Sequence, residues 1–342
     1  MTEYDVIVIG AGPGGYVCAI RAAQLGKKTA IIEKEFLGGV CLNVGCIPSK
    51  SLLKNAEVAH TLRERGNEFG FEVDGLKLDY GVAVKRSRKV SGRLTKGVGF
   101  LMKKNQVDVH MGRATFTGPK TITVKDENGE STTLTAKDIV LATGASPMVI
   151  PGLEADGDRV LSYRDAILQE HLLKSVVIIG AGAIGLEFAT IWSSYGVDVT
   201  LVEMLPRIAP LEDEEVSQEL AKAFSKRGIK VLVGTRVDKI ERLKTKVKVT
   251  VAGLDGEQVL EAEQALLAIG FRPNTKDLDL KAAGVELDER GFPEIDERMA
   301  TPTTGIWAIG DITGKLMLAH VASAMGIICA ENIAGVATTT LD

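Results

Sequence analysis

The feature that most constrains this fold is a unit that occurs twice with the same spacing. Tyr4-Asp5-Val6-Ile7-Val8-Ile9 is a β-branched run of the kind that forms a strand buried on both faces. It leads into Gly10-Ala11-Gly12-Pro13-Gly14-Gly15, a helical pattern from Tyr16 to Gly26, a second strand over 28–32, and Glu33. Ser175-Val176-Val177-Ile178-Ile179, Gly180-Ala181-Gly182-Ala183-Ile184-Gly185, a helix to Gly196, a strand over 198–202 and Glu203 repeat that order. Gly10, Gly12, Gly15 and Glu33 recur 170 positions later as Gly180, Gly182, Gly185 and Glu203. Such a unit binds a dinucleotide: glycines let the backbone approach a pyrophosphate at the helix N-terminus, and the acid accepts from a ribose hydroxyl. Two units in 342 residues predict an α/β, three-layer fold of two tandem Rossmann-like domains.

Directly after the first unit comes Gly38-Gly39-Val40-Cys41-Leu42-Asn43-Val44-Gly45-Cys46-Ile47-Pro48-Ser49-Lys50. A bridge between Cys41 and Cys46 closes a very small loop, so it removes little unfolded-state entropy and is a poor staple. A strained, accessible disulfide is the labile, catalytic kind. Pro48 is placed to be the first helical residue, with Ile47 or Cys46 near the cap. The positive end of that helix favours a thiolate at Cys46. Cys18 and Cys329 lie in apolar helical patterns and are expected to be buried and inert.

The bulk properties exclude several classes. The net charge of −4 supplies no basic field, which argues against nucleic acid or an anionic membrane as main partner. No stretch reaches the unbroken apolar length of a spanning helix. Met1-Thr2-Glu3-Tyr4-Asp5 has neither a signal-peptide nor an Arg-rich transit pattern, so a cytoplasmic enzyme is expected. No metal site is expected.

The Gly38–Lys50 stretch resembles the redox-disulfide motif of the pyridine nucleotide-disulfide oxidoreductases, and its Leu42–Lys50 half resembles the dihydrolipoamide-oxidising branch. Val40 stands where that branch usually has Thr. The resemblance implies FAD in the first unit, beside the cysteines, and a mobile NAD in the second. It assigns Gly10, Gly12, Pro13, Gly14, Gly15, Glu33, Lys34, Gly39, Val40, Lys50, Gly112, Ala114, Thr143 and Gly144 to the flavin. Asp311 joins them through the ribityl chain, with Met317, Leu318, Ala319 and His320 opening a helix against the flavin carbonyl edge. Gly180, Gly182, Ile184, Gly185, Glu187, Glu203, Val237, Ala268 and Gly270 fall to the second site. A carboxylate at Glu203 favours NAD over NADP, and Arg207 is the nearest cation for a 2′-phosphate. Cys41, Cys46, Lys50 and Glu187 form the implied catalytic set, with Glu187 as partner of Lys50. His320 reads as a packed, hydrogen-bonded residue rather than an acid–base group.

The implied reaction oxidises dihydrolipoamide, or the lipoyl carrier domain of a 2-oxoacid dehydrogenase or glycine cleavage complex, with NAD. The alternatives are another disulfide or metal-ion reductase of the family, or a diaphorase-like FAD/NAD module without disulfide turnover.

The remaining chain fills in the organisation. Helical patterns dominate from Ser49 to Asn105, and Lys85, Arg86, Arg88, Lys89, Arg93 and Lys96 read as a solvated face. A strand is expected over 107–111. Strands over 121–124 and 132–135 flank Asn128-Gly129 as a hairpin, and 138–142 is a separate buried strand. A second hairpin turns at Leu254-Asp255-Gly256, and a last strand ends at Gly310-Asp311. Pro147, Pro151 and Gly152 mark a boundary. The expected division is a discontinuous FAD-binding domain, 1–148 and 276–342, around an NAD-binding domain, 149–275. Family members continue into an interface domain that builds a homodimer and carries a catalytic histidine. His60, His110, His171 and His320 match no such motif, so a short form with impaired lipoamide turnover but NADH-dependent dye reduction is expected.

Overall fold

A computed structural model describes residues 2–253 and 256–341. In chain order the first elements are β1 (Thr2–Ile9), α1 (Pro13–Gln24), β2 (Thr29–Glu33), α2 (Gly39–Asn43), α3 (Cys46–Glu64) and α4 (Tyr80–Lys104). Next come β3 (Asp108–Met111), β4 (Arg113–Gly118), β5 (Thr121–Lys125), β6 (Ser131–Leu141), β7 (Ala145–Pro147), β8 (Val160–Leu161) and α5 (Tyr163–Leu168). The second glycine unit is β9 (Ser175–Ile179), α6 (Ala183–Ser194) and β10 (Asp198–Val202), followed by α7 (Glu214–Lys226) and β11 (Lys230–Leu232). The chain continues through β12 (Arg236–Arg242), β13 (Val247–Gly253), β14 (Gly256–Ala262), β15 (Gln264–Leu267), β16 (Phe271–Pro273), β17 (Ile306–Ala308) and α8 (Ala319–Ala334). Leu254 and Asp255, the expected tip of the second hairpin, lie outside the described residues, although β13 and β14 do pair antiparallel around them.

By packing, the chain divides into two compact units: 1–43, 91–146 and 271–342 form the first, and 44–90 with 147–270 form the second. The first holds a seven-stranded sheet in the order β3-β2-β1-β6-β5-β4, with β17 also on β6. β1 is buried on both faces from Val6 to Ile9, which is why its sequence is an unbroken β-branched run. The two strands expected over 132–135 and 138–142 are one strand, β6. One edge of it pairs with β1 from Thr2↔Leu134 to Ile9↔Leu141. Its other edge is shared, with β5 on its first half and β17 on its second. The change from alternating to continuous apolar pattern at Asp138 therefore marks a change of neighbour, not a break in the strand. The core on one side gathers Ile7, Ile9, Ile32, Phe116, Ile122, Leu134, Ile139, Leu141 and Ile306.

α1 and α8 pack closely because glycines face each other: a Cβ built on Gly326 would stand 2.5 Å from the Gly14 carbonyl oxygen. Cys18 and Cys329 are fully buried between these helices, and burial, then the contact with Cys18, pushes the Cys329 thiol up. α1 begins at Pro13, three residues before the expected start, because a proline without an N–H suits the first helical position.

The second unit repeats the strand order as a parallel sheet, β11-β10-β9-β15-β8, with a three-stranded antiparallel sheet β12-β13-β14. Val177, Ile179, Val202, Ile240, Val247, Val249, Val251 and Leu267 form its core. α3 begins at Cys46, so Pro48 is its third residue, still within the turn whose N–H groups lack intrahelical partners. The basic cluster on α4 is exposed at Lys85, Lys89, Arg93 and Lys96. Arg88 is half-buried, and burial pushes its guanidinium below its ordinary range. Arg86 instead fastens α4 to α3, donating from Nη1 to Ser51 Oγ and Asn55 Oδ1, each at 2.9 Å.

The α1–α8 approach leaves no space for a methyl group. Gly326→Ala is expected to lower stability by about 1–3 kcal/mol. Thermal unfolding followed by circular dichroism checks this, and an unchanged Tm contradicts the close approach.

Candidate active site

Each unit presents a glycine turn at the end of its first strand. Gly10 and Gly180 share the same left-handed φ of +104°. A Cβ on Gly10 would lie 2.3 Å from the Ala142 oxygen, and one on Gly180 would lie 2.3 Å from the Ala268 oxygen. A Cβ on Gly15 would lie 1.9 Å from the Gly10 oxygen, and on Gly185 2.0 Å from the Gly180 oxygen. These positions exclude any side chain. Gly12 and Gly182 are different: space around their would-be Cβ is open to 4 Å, where a ligand can come against the backbone.

Each turn is held by the acid at the end of the second strand. Glu33 is buried; its Oε2 accepts the Ala11 N–H at 2.8 Å and its Oε1 the Glu35 N–H at 2.9 Å. Glu203 repeats this, accepting from Ala181 at 2.7 Å and from Leu205 at 2.9 Å. Charge-assisted bonds to backbone N–H groups compensate the burial of a carboxylate. Arg207 donates to the carbonyls of Pro210 at 3.3 Å and Glu212 at 3.4 Å, so its guanidinium is engaged with its own loop.

In the first unit further residues converge on the turn. Gly39, with φ +59°, sits so close that its Cβ would be 2.6 Å from Gly12 Cα. Val40 is exposed beside it, and Lys34 is exposed after Glu33. The N–H of Gly112 donates to the Glu33 carbonyl at 2.8 Å, and Ala114 is buried on β4. Thr143 and Gly144 continue β6 past Ala142. Asp311 is half-buried, and desolvation pushes its carboxyl up. Met317 is half-buried; Leu318 caps α8, of which Ala319 is the first residue. His320 is exposed on that first turn, contrary to the packed position expected, because α8 turns its apolar face to α1 from Ala322 onward.

Cys41 lies on α2, whose geometry is fixed by Asn43. Asn43 Nδ2 donates to the carbonyls of Leu37 at 3.0 Å and Gly39 at 2.9 Å, while Oδ1 accepts from Thr95 at 2.9 Å. Asn43 and Thr95 were not anticipated as site residues; an amide inside a glycine-rich turn was the available signal. The half-buried Tyr16 phenol is pushed up by burial first and by Cys41 second.

In the second unit Cys46 is the first residue of α3 and Lys50 follows one turn later. Lys50 Nζ lies 2.6 Å from Glu187 Oε1 on α6, with Lys50 61% and Glu187 24% exposed. Ile184 and Ala268 are half-buried near the second turn, Val237 lies half-buried on β12 against the core, and Gly270 is exposed with φ +114°. Among the described residues no His, Cys, Asp and Glu group is arranged to hold a metal ion.

Two glycine turns, each held by a buried acid, and a cysteine-bearing helix start define a two-dinucleotide redox protein. The comparisons agree. The pyridine nucleotide-disulphide oxidoreductase family matches residues 4–326, and the chain belongs to it. It is 48% identical over 341 residues to a dihydrolipoyl dehydrogenase of Mycobacterium tuberculosis, covering 100% of this chain and 73% of the relative. A dihydrolipoyl dehydrogenase of Bacillus subtilis is 43% identical over 351 residues, covering 100% and 74%. Among solved structures, LpdA from Mycobacterium tuberculosis superposes with a TM-score of 0.91 at 28% identity, covering 100% of this chain and 74% of that one. The HOCl-induced flavoprotein disulfide reductase RclA from Escherichia coli, as its Cu(II) complex, gives 0.85 at 26%, covering 97% and 71%. FAD and NAD are the cofactors of this family, and the open backbone at Gly12 and Gly182 beside a buried acid fits one dinucleotide at each turn.

Glu203→Ala leaves the Ala181 and Leu205 N–H groups without their acceptor. It is expected to weaken NADH binding to the flavin-loaded protein about tenfold or more. Calorimetric titration reads this; unchanged affinity contradicts the role of the acid.

A carboxyl whose folded-state pKa is raised lends stability while protonated and loses it as pH rises through that pKa. Asp311→Asn removes the charge, so the flavin-free variant should melt above the flavin-free parent at neutral pH. The gap should narrow as pH falls toward the ordinary carboxyl range, about 3.9, and the Asp311 carboxyl takes up its proton. A gap of the same size at every pH contradicts the desolvation account.

Proposed function

We propose that this chain catalyses the oxidation of dihydrolipoamide to lipoamide with NAD⁺, as a dihydrolipoyl dehydrogenase, through a redox disulfide of Cys41 and Cys46. The observation that carries the reading is the helix start at Cys46, with Lys50 one turn later held by Glu187. The relatives' names support the same substrate.

When bound, FAD supplies a two-electron carrier that accepts from a dithiol on one side and gives hydride to NAD⁺ on the other. The residues of the chain do the rest. A substrate thiolate attacks Cys41 Sγ of the disulfide, and Cys46 leaves as thiolate. The first-turn N–H groups of α3 stabilise that leaving charge. The second substrate thiol then attacks the mixed disulfide, releasing Cys41 and closing the lipoamide ring, so the two electrons now reside on the cysteine pair. Asn43 holds the short helix that presents Cys41. Glu187 fixes the direction of the Lys50 ammonium, which would set a cation near the flavin. Glu33 and Glu203 each read a ribose, and Glu203 with Arg207 turned away favours NAD over NADP.

The lipoyl group comes on a carrier domain of a 2-oxoacid dehydrogenase or glycine cleavage complex, in the cytoplasm, with the full-length form of the enzyme working as a homodimer. Among the described residues no helix is long and apolar enough to cross a membrane.

Cys41→Ser and Cys46→Ser test this. Each should lower NAD-linked dihydrolipoamide turnover about a thousandfold or more, while NADH-dependent dye reduction stays within about threefold of the parent. Faster turnover of another disulfide or of Cu(II) than of lipoamide by the parent contradicts the substrate assignment.

A further inference from the structure

We propose that Asn274 is a positioning residue of the first cofactor site: its side chain clasps the Thr143–Gly144 strand end against the first glycine turn and governs how firmly FAD is held. The proposal rests on the assignment of FAD to that turn.

The wall it holds is visible in the close approaches at Gly10. A Cβ there would lie 2.3 Å from the Ala142 oxygen and 3.1 Å from Thr143 Cα, so residues 142–143 form one side of the turn. Past them Gly144 adopts φ +69°, and the strand that follows, β7, is paired with β16. Asn274, next after β16, adds a side-chain restraint to that pairing, all within the first unit. Its Nδ2 donates to the Thr143 carbonyl at 2.9 Å, and its Oδ1 accepts from Ser146 Oγ at 2.6 Å. Its own carbonyl accepts from Thr143 Oγ1 at 2.8 Å, and its N–H donates to the Gly144 carbonyl at 3.0 Å.

The second copy of the unit serves as an internal control. Ala142 donates to the Ile9 carbonyl at 2.8 Å and Ala268 to the Ile179 carbonyl at 2.7 Å, so the two walls begin alike. Thr143 then corresponds to Ile269, whose side chain has no polar group to be fastened. The two cradles share the turn, the acid and a backbone bond to the glycine that follows, from Asn274 to Gly144 at 3.0 Å and from Met148 to Gly270 at 2.9 Å, and differ in the side-chain clasp. A redox group kept through many turnovers needs slow release, whereas a nicotinamide that exchanges at each turnover does not. The clasp lies on the side that retains its ligand.

The test loads the full chain with FAD and follows flavin fluorescence after dilution, in the parent, Asn274→Ala and Asn274→Asp. Asn274→Ala should release FAD about tenfold faster, with NADH affinity within about twofold of the parent. Asn274→Asp keeps the acceptor for Ser146 but loses the donor to Thr143 until its carboxyl is protonated. Relative to the parent it should therefore release FAD faster at about pH 8 and recover part of the parental retention as the pH is lowered to about 4, the ordinary range of an Asp carboxyl, while the alanine variant stays fast at both. Parental retention in Asn274→Ala overturns the proposal. So does an equal loss of NADH affinity in Asn274→Ala, or the absence of any pH recovery in Asn274→Asp. A parent that takes up no FAD overturns the cofactor assignment beneath it.

Discussion

The contact on which the rest depends is a carboxylate accepting a backbone N–H one strand away. Glu33 takes the proton of Ala11, and Glu203 that of Ala181. A hydrogen bond to a charged group contributes about 1.5–3 kcal/mol when both partners are buried. Its larger effect is geometric. It ties the end of the second strand to the middle of the glycine turn, so the helix after the turn starts in one direction only. The open face of Gly12 or Gly182 is then presented beside an acid whose remaining lone pairs suit a ribose. Each turn is closed from behind by a strand, β6 or β15, at a separation that only glycine permits.

From this shared frame the two copies diverge in the segment after the acid. In the first, the Gly38 N–H captures the Ala11 carbonyl at 2.8 Å and Gly39 is laid against Gly12, which starts the cysteine-bearing helix α2 over the turn. In the second, the Ala209 N–H captures the Ala181 carbonyl at 2.9 Å after a loop one residue longer. That loop carries Arg207 and keeps it occupied with its own carbonyls. One insertion separates a cradle followed by a thiol pair from one followed by a loop.

Much of this was legible in the sequence, because strands buried on both faces, glycine turns and strand-end acids are local patterns. Glu33 and Glu203 follow from spacing and charge, whereas the pairing of Lys50 with Glu187 is legible only through the family resemblance. What was hidden depends on neighbours far away in the chain. β6 reads as two strands because its second edge changes partner from β5 to β17. Arg86 reads as one charge of a solvated face because nothing local places Ser51 and Asn55 under it. Pro48 attracts the helix start by its chemistry, yet the turn opens two residues earlier at Cys46. Asn274 follows a proline at the end of a short strand and gives no sign that its amide reaches back to Thr143.

The account stands on two separate dinucleotide cradles in one chain. An equilibrium titration, first with FAD and then with NADH under anaerobic conditions, tests it most directly. One flavin taken up per chain, followed by one nicotinamide that reduces it without displacing it, is the predicted outcome. NADH that competes flavin off the protein, or a chain that saturates with a single dinucleotide in total, contradicts it.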